Sequence, residues 1–167
     1  AKGLSAHAHH LETPKLLPSN LFAYDYQLSC LDGDLSLGRY CHENAHMLCD
    51  FPDLYDYGDQ SSGCGVYCLM GAGAALDPKN PSVVSAYLRK GAGWSTPTAI
   101  ANGVNRVSTD LEPVLIHQRS ATEYFLIENR QAVGRDASLP SSGLAVWHVD
   151  ERGSNDNEQM TPAKHYE

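Results

Sequence analysis

The feature that most constrains this chain is a pair of histidines four residues apart, with a glutamate directly after the first. They stand in the segment His42-Glu43-Asn44-Ala45-His46. Side chains at positions i and i+4 of a helix lie on one face, about 6 Å apart along the axis, so both imidazoles can reach one Zn²⁺ ion. With 8 histidines in 167 residues, independent placement gives the pattern only roughly 0.02 times per chain. The spacing therefore predicts a metal site on a helix.

The residues around the two histidines predict the helix that such a site needs. Asp34 or Ser36 can cap its N-terminus. Apolar side chains then recur on one helical face, and they are Leu37, Cys41, Ala45 and Leu48. We expect both histidines to lie beside this buried face.

A catalytic zinc needs a third protein ligand, which the helix itself cannot supply. Asp50 lies eight residues after His42, about 12 Å along a continuing helix, too far for three side chains to converge. Pro52 disfavours helix at the residue before it, so the chain turns and presents Asp53 next. We expect His42, His46 and Asp53 to bind the metal, with Asp50 as the alternative third ligand.

The glutamate of the pattern supplies the chemistry. On the helix, Glu43 lies beside the metal. There it can take a proton from metal-bound water and pass it to the leaving amine, while the metal polarises the scissile carbonyl. The pattern thus predicts hydrolysis of peptide bonds in protein or peptide substrates, with water as the nucleophile.

Four segments extend this pattern along most of the chain. They are HENAHMLCDFPDLYDYG from His42 to Gly58, CLMGAG from Cys68 to Gly73, EYFLIENRQ from Glu123 to Gln131, and LPSSGLAVWHVD from Leu139 to Asp150. In this order they resemble the immune inhibitor A-like secreted zinc metallopeptidases, in which HExxH precedes a PDLYD loop. Two residues depart from the family pattern. Cys49 stands where glycine is usual, and Asp53 follows His46 by seven residues instead of six.

The resemblance implies a fold, a metal and a location. The fold class is α+β, with a zincin or metzincin-like catalytic region around the helix and a β-rich segment after it. By resemblance His42, His46 and Asp53 are zinc ligands, Glu43 is the catalytic base, and Met70 forms the methionine turn beneath the metal. The family is secreted, and its signal peptide would not lie in this chain.

We expect a domain boundary near residue 95. Residues 1–94 are expected to be the C-terminal portion of the catalytic domain, and residues 95–167 a β-rich segment packed on it, so that the chain is a fragment. Strands are predicted at 2–12, 21–31, 112–118, 123–129 and 143–150, and a helix at 81–90. We expect Trp94 in the core, and Phe125, Ile127 and Trp147 on the buried face of two neighbouring strands.

Composition excludes two classes of partner. The net charge is −8 and no lysine or arginine cluster occurs, which argues against a nucleic-acid partner. No apolar run approaches the ~20 residues of a membrane span. The five cysteines form no Cys-x-x-Cys pair. A disulfide from Cys49 to Cys64 or Cys68 and free buried thiols are both compatible with this spacing, and a structural zinc is the third alternative.

Tyr55 and Tyr57 lie in the loop that should border the metal, where a phenol can hydrogen-bond the developing oxyanion.

The resembling family also binds calcium. Acidic pairs with calcium-like spacings occur, although no twelve-residue calcium loop does; the pairs are Asp32/Asp34, Asp56/Asp59 and Asp156/Glu158.

Two alternatives compete with this interpretation. A zincin of the other major type takes its third ligand from a glutamate on a following helix, but residues 81–90 contain no glutamate. A catalytically silent adhesion or carbohydrate-binding module could keep the fold without activity. Intact His42, Glu43 and His46 argue against that module, and zinc content together with peptide turnover would separate the two.

Overall fold

The computed structural model describes residues 5–29, 35–57 and 61–153. It is a mixed α+β structure with two sheets, which confirms the expected fold class at this level. The elements in chain order are β1 (His7–Leu16), β2 (Phe22–Leu28), α1 (Leu37–Cys49), α2 (Ala74–Leu76), α3 (Ala86–Gly91), β3 (Thr98–Ala99), β4 (Leu115–Gln118), β5 (Glu123–Arg130) and β6 (Gly143–Asp150).

The first sheet is an antiparallel pair of β1 and β2 that lies against α1. The strand expected to stop before Pro14 continues to Leu16, because the pairing register shifts between His10 and Lys15. Such an irregularity accommodates a proline, which cannot donate to a regular ladder. The expected second strand is confirmed as β2.

Helix α1 is the predicted helix, and Ser36 caps it by accepting a hydrogen bond from the Arg39 backbone N–H at 3.3 Å. The other candidate cap, Asp34, lies outside the described residues. Ala45 is buried as expected, but Leu48 is 73% exposed. Leu48 is exposed because it lines an open cleft on the β1 side of α1 instead of the core.

A glycine fixes how closely α1 approaches the next helix. A Cβ added at Gly38 would lie 1.9 Å from the carbonyl oxygen of Ala74 in α2. The Gly38 N–H also donates to the Pro78 carbonyl at 2.9 Å. The two backbones are therefore in direct contact, and this contact sets α1 on the core that supports the histidines.

The core beneath α1 contains residues from the helix, from the loop after it and from the segment that runs from Cys68 into α3. Its buried members are Ala45, Phe51, Cys68, Leu69, Met70, Ala74, Val84 and Leu88. Leu69–Gly73 forms a wide π-type turn that leads into α2. Trp94, expected in this core, is 57% exposed, and its ring lies edge-on to Phe51 with 5.5 Å between the ring centroids.

The helix expected at residues 81–90 is shorter, since α3 begins at Ala86. The residues before it are held extended by hydrogen bonds to distant parts of the chain. The Val83 N–H donates to Asp136 Oδ1 at 3.1 Å, and the Val83 carbonyl accepts from the Leu69 N–H at 3.3 Å. These tertiary bonds replace the helical ones that local sequence favours.

The second sheet has the order β3-β4-β5-β6, parallel between β3 and β4 and antiparallel elsewhere. The three predicted strands are present, and β5 and β6 are neighbours as expected. The predicted inner face is wrong, because the fully buried residues of β5 are Tyr124, Leu126, Glu128 and Arg130, while Phe125 and Ile127 are only partly buried. Trp147 is partly buried and donates its indole N–H to Glu128.

Packing on α3 explains which face is buried. Ala86 at the start of α3 forms a cluster with Val114, Tyr124 and Leu126. Residues before and after position 95 therefore share this cluster, and the division there stays a prediction. None of the helices in the described ranges has both the length and the apolar character needed to cross a membrane.

Candidate metal site

Helix α1 and the turn after it bring three side chains together. His42 Nε2 and His46 Nε2 lie 3.1 Å apart. Asp53 Oδ1 is 2.9 Å from His42 Nε2 and 3.1 Å from His46 Nε2. In the part of the chain that the structure describes, these form the one group of three or more His, Cys, Asp or Glu side chains close enough to share a metal ion.

The donor set fits zinc. Imidazole nitrogens and a carboxylate oxygen bind Zn²⁺ at about 2.0–2.2 Å with tetrahedral angles, which separates ligand atoms by about 3.3 Å. The observed separations of 2.9–3.1 Å are close to that value. A three-ligand set also leaves a fourth position for water or substrate, as catalytic zinc sites require.

Both imidazoles are oriented by backbone carbonyls. His42 Nδ1 lies 3.0 Å from the Leu69 carbonyl oxygen, and His46 Nδ1 lies 2.5 Å from that of Phe51. Because a carbonyl can only accept, each Nδ1 donates its proton to that carbonyl, which leaves each Nε2 as the nitrogen that can bind a metal. This is the tautomer and second contact typical of metal-binding histidines.

Asp53 reaches the histidines because the chain reverses directly after α1. Asp50 has left-handed backbone angles of φ 54° and ψ 37°, which aspartate tolerates better than most residues. Its N–H donates to the His46 carbonyl at 3.1 Å, which closes the helix. The seven-residue interval from His46 to Asp53 still delivers the carboxylate, whereas the alternative ligand Asp50 lies outside the cluster.

The carboxylate and the imidazoles shift one another's titration. Burial lowers the pKa of His42 and His46, but the hydrogen bonds and negative charge of Asp53 outweigh burial, so both pKa values lie above the ordinary 6.5. Burial raises the pKa of Asp53, but hydrogen bonds from both histidines and Tyr57 outweigh it and hold that pKa well below 3.8. The site is built to keep Asp53 ionised, as a metal ligand must be.

Glu43 stands on the same helix and is 8% exposed. Its negative charge contributes to the raised pKa of His46. The expected base is therefore shielded from bulk water and electrostatically coupled to one of the two histidines.

Tyr55 and Tyr57 come together at Asp53, and both hydroxyls lie within hydrogen-bond distance of Oδ2. The oxyanion role expected of these tyrosines stays a prediction. Their contact with Asp53 was not predicted from the sequence. The signal that could have indicated it is the presence of two tyrosines, two and four residues after the ligand.

Met70 lies in the π-type turn beneath the site and is fully buried. Its carbonyl accepts from the Leu54 N–H at 2.7 Å, which ties the loop that carries Asp53 to this turn. The preceding residue, Leu69, supplies the carbonyl that orients His42. The turn thus supports two of the three candidate ligands.

A cleft of about 490 Å³ opens beside His46. Its walls are the C-terminal end of α1 and residues of β1 and β2. Asp25, Leu48 and Asp50 are among the side chains that line it. Among the three candidate ligands, His46 lines this cleft, so the cleft lies beside the His46 edge of the site.

The remaining sequence predictions fall away from the site. Cys49 carries a free thiol, as do the other three cysteines in the described ranges, whereas Cys30 lies outside them. Burial raises the pKa of the Cys64 thiol to about 12. Of the acidic residues considered for calcium, Asp56 accepts the Ser61 N–H at 2.7 Å, and the others lie outside the described ranges.

Comparisons with known proteins found no relative of the chain. No known protein family, no curated protein and no solved structure matches the chain. What the chain can do must therefore be argued from its own residues.

Proposed function

We propose that the chain belongs to a zinc-dependent endopeptidase in which His42, His46 and Asp53 hold the metal and Glu43 is the general base. The observation that carries the proposal is the approach of His42 Nε2, His46 Nε2 and Asp53 Oδ1 to within 2.9–3.1 Å of one another. When bound, zinc would polarise the scissile carbonyl and lower the pKa of water.

The chain's own residues would carry the proton. Glu43 accepts a proton from the attacking water and returns it to the leaving amine, which is the role of a general base and then of a general acid. Its low exposure of 8% keeps bulk water from competing for that proton. The carbonyls of Leu69 and Phe51 keep both imidazoles oriented while this transfer occurs.

An extended peptide would reach the site through the cleft beside His46. The metzincin-like fold, the immune inhibitor A-like family, a secreted location and calcium binding belong to the same proposal. They are supported by the four sequence segments that resemble that family, and the metzincin likeness also by the buried turn at Met70.

The test replaces Glu43 by glutamine, which preserves shape and removes the proton acceptor. Glu123→Gln is the matched control, because Glu123 lies on β5 and pairs with Arg119 and His148 away from the site. We expect Glu43→Gln to keep its zinc and lose about 10²-fold or more of its casein hydrolysis, with the control unchanged.

Two outcomes would contradict the proposal. A loss below about tenfold at unchanged zinc content would assign the proton transfer to another base. A wild-type protein that binds zinc and hydrolyses no peptide would instead favour the catalytically silent module.

A further inference from the structure

Two tyrosine rings close over the carboxylate of Asp53. The hydroxyl oxygens of Tyr55 and Tyr57 lie 2.9 Å and 2.5 Å from Asp53 Oδ2, and 2.9 Å from each other. The two rings are 4.7 Å apart between centroids. One oxygen of the carboxylate therefore meets the phenols, while the other, Oδ1, meets His42 and His46.

The hydroxyl protons can be counted. Among these three side chains, three oxygen–oxygen contacts share two phenol protons, so one of these contacts lacks a proton of its own. The 2.5 Å contact from Tyr57 has the length of a charge-assisted bond to a carboxylate, the strongest kind in this set. Tyr55 has one proton for two acceptors, Asp53 and Tyr57, and holds the carboxylate less strongly.

Packing alone does not account for the tyrosine pair. Tyr55 and Tyr57 are 39% and 41% exposed as residues, so both lie outside the core. The Asp53 side chain that they cover is only 12% exposed. The pair thus contributes a cover and two hydrogen-bond donors to one carboxylate.

We propose that Tyr55 and Tyr57 are positioning residues of the metal site. Their hydroxyls hold Asp53 Oδ2 and thereby keep Oδ1 directed at the two histidine nitrogens. This inference rests on the metal-binding part of the proposed function and does not depend on peptide hydrolysis. Partners of this kind, one shell beyond the ligands, typically change metal affinity by about 10–100-fold.

The test measures zinc affinity in Tyr57→Phe, Tyr55→Phe and the double variant. Tyr67→Phe is the matched control, because its hydroxyl bonds to Ser141 Oγ at 3.0 Å instead of a site residue. The zinc dissociation constant is obtained by competition with a chromophoric chelator. The visible absorption spectrum of the Co²⁺ form reports ligand geometry independently of activity.

We expect zinc to bind about 10–100-fold more weakly to Tyr57→Phe, with a smaller loss in Tyr55→Phe and none in Tyr67→Phe. The two losses should not add in the double variant, since the Tyr55 proton turns fully to Asp53 when Tyr57 is absent. The Co²⁺ spectrum should change in the site variants alone.

Equal zinc affinity and identical Co²⁺ spectra in Tyr55→Phe, Tyr57→Phe and Tyr67→Phe would overturn the inference. Should one variant fail to fold by circular dichroism, the other single variant decides. A wild-type protein that binds zinc without cleaving peptides contradicts the proposed function alone. A wild-type protein that binds no zinc contradicts both.

Discussion

The replacement Glu128→Gln tests whether a buried ion pair holds the second sheet to α3. Glu128 is fully buried, and its Oε2 accepts from Arg89 Nη2 at 2.8 Å. Its Oε1 accepts from Trp147 Nε1 at 2.7 Å and from the Ala86 N–H at 3.2 Å. Arg89 is itself only 6% exposed, and its other carboxylate neighbour, the half-exposed Glu112, is farther away at 3.9 Å from Nε.

The expected cost follows from what glutamine keeps and what it loses. The amide oxygen can still accept from Trp147 and Ala86, but the amide nitrogen faces the Arg89 guanidinium and cannot accept. Removing one partner of a buried ion pair costs about 3–5 kcal/mol, because the other charge stays buried without compensation. For a protein of this size that corresponds to a fall in Tm of roughly 6–20 °C.

The assay is urea unfolding followed by far-UV circular dichroism, with Glu123→Gln as the control. Glu123 lies on the same strand but pairs with Arg119, whose side chain is 56% exposed, so its replacement should cost less than about 1 kcal/mol. The m-value should be the same in both variants. A free energy of unfolding for Glu128→Gln within about 1 kcal/mol of the control would refute the reasoning.

Three further outcomes follow from the structure. Gly38→Ala puts a Cβ 1.9 Å from the Ala74 carbonyl oxygen and should lower the free energy of unfolding by about 1–3 kcal/mol or more. Gly91→Ala is the control, because Gly91 has open space around it and its replacement should not destabilise the protein. Equal melting temperatures for the two variants would contradict this. Asp50 has a left-handed backbone at φ 54°, so Asp50→Gly should raise the free energy of unfolding by about 0.5–1 kcal/mol. A variant that urea unfolds more easily than the wild type would contradict backbone strain at this position. The pKa of Cys64 near 12 leaves roughly one thiolate in three thousand at pH 8.5, so iodoacetamide should label it far more slowly than in the unfolded chain, as mass spectrometry would show.

Local signals were sufficient for α1 and its two histidines. The Ser36 cap and the i, i+4 spacing depend on neighbours in sequence, and both appear in the structure, whereas the predicted apolar stripe is buried at Ala45 and exposed at Leu48. Asp53 could also be predicted as the third ligand, since Pro52 directly before it makes the chain turn after the helix. The alternating strands β5 and β6 were predicted for the same reason.

Long-range contacts determine the two features that local sequence patterns did not predict, which are the start of α3 and the buried face of β5. Residues before α3 match a helix locally, yet hydrogen bonds from Val83 to Leu69 and Asp136 keep them extended. The buried face of β5 was assigned wrongly because it holds Glu128 and Arg130, whose charges are compensated by Arg89 and Asp136 on other parts of the chain. A pattern of apolar residues cannot reveal such a face.

The central claim is that His42, His46 and Asp53 hold one zinc ion. A crystal structure of the zinc-loaded protein, with anomalous data on both sides of the zinc edge, tests it most directly. We expect a single anomalous peak about 2.0–2.2 Å from both Nε2 atoms and from Asp53 Oδ1. No peak between these atoms, or a peak bound by Asp50 in place of Asp53, would contradict the account.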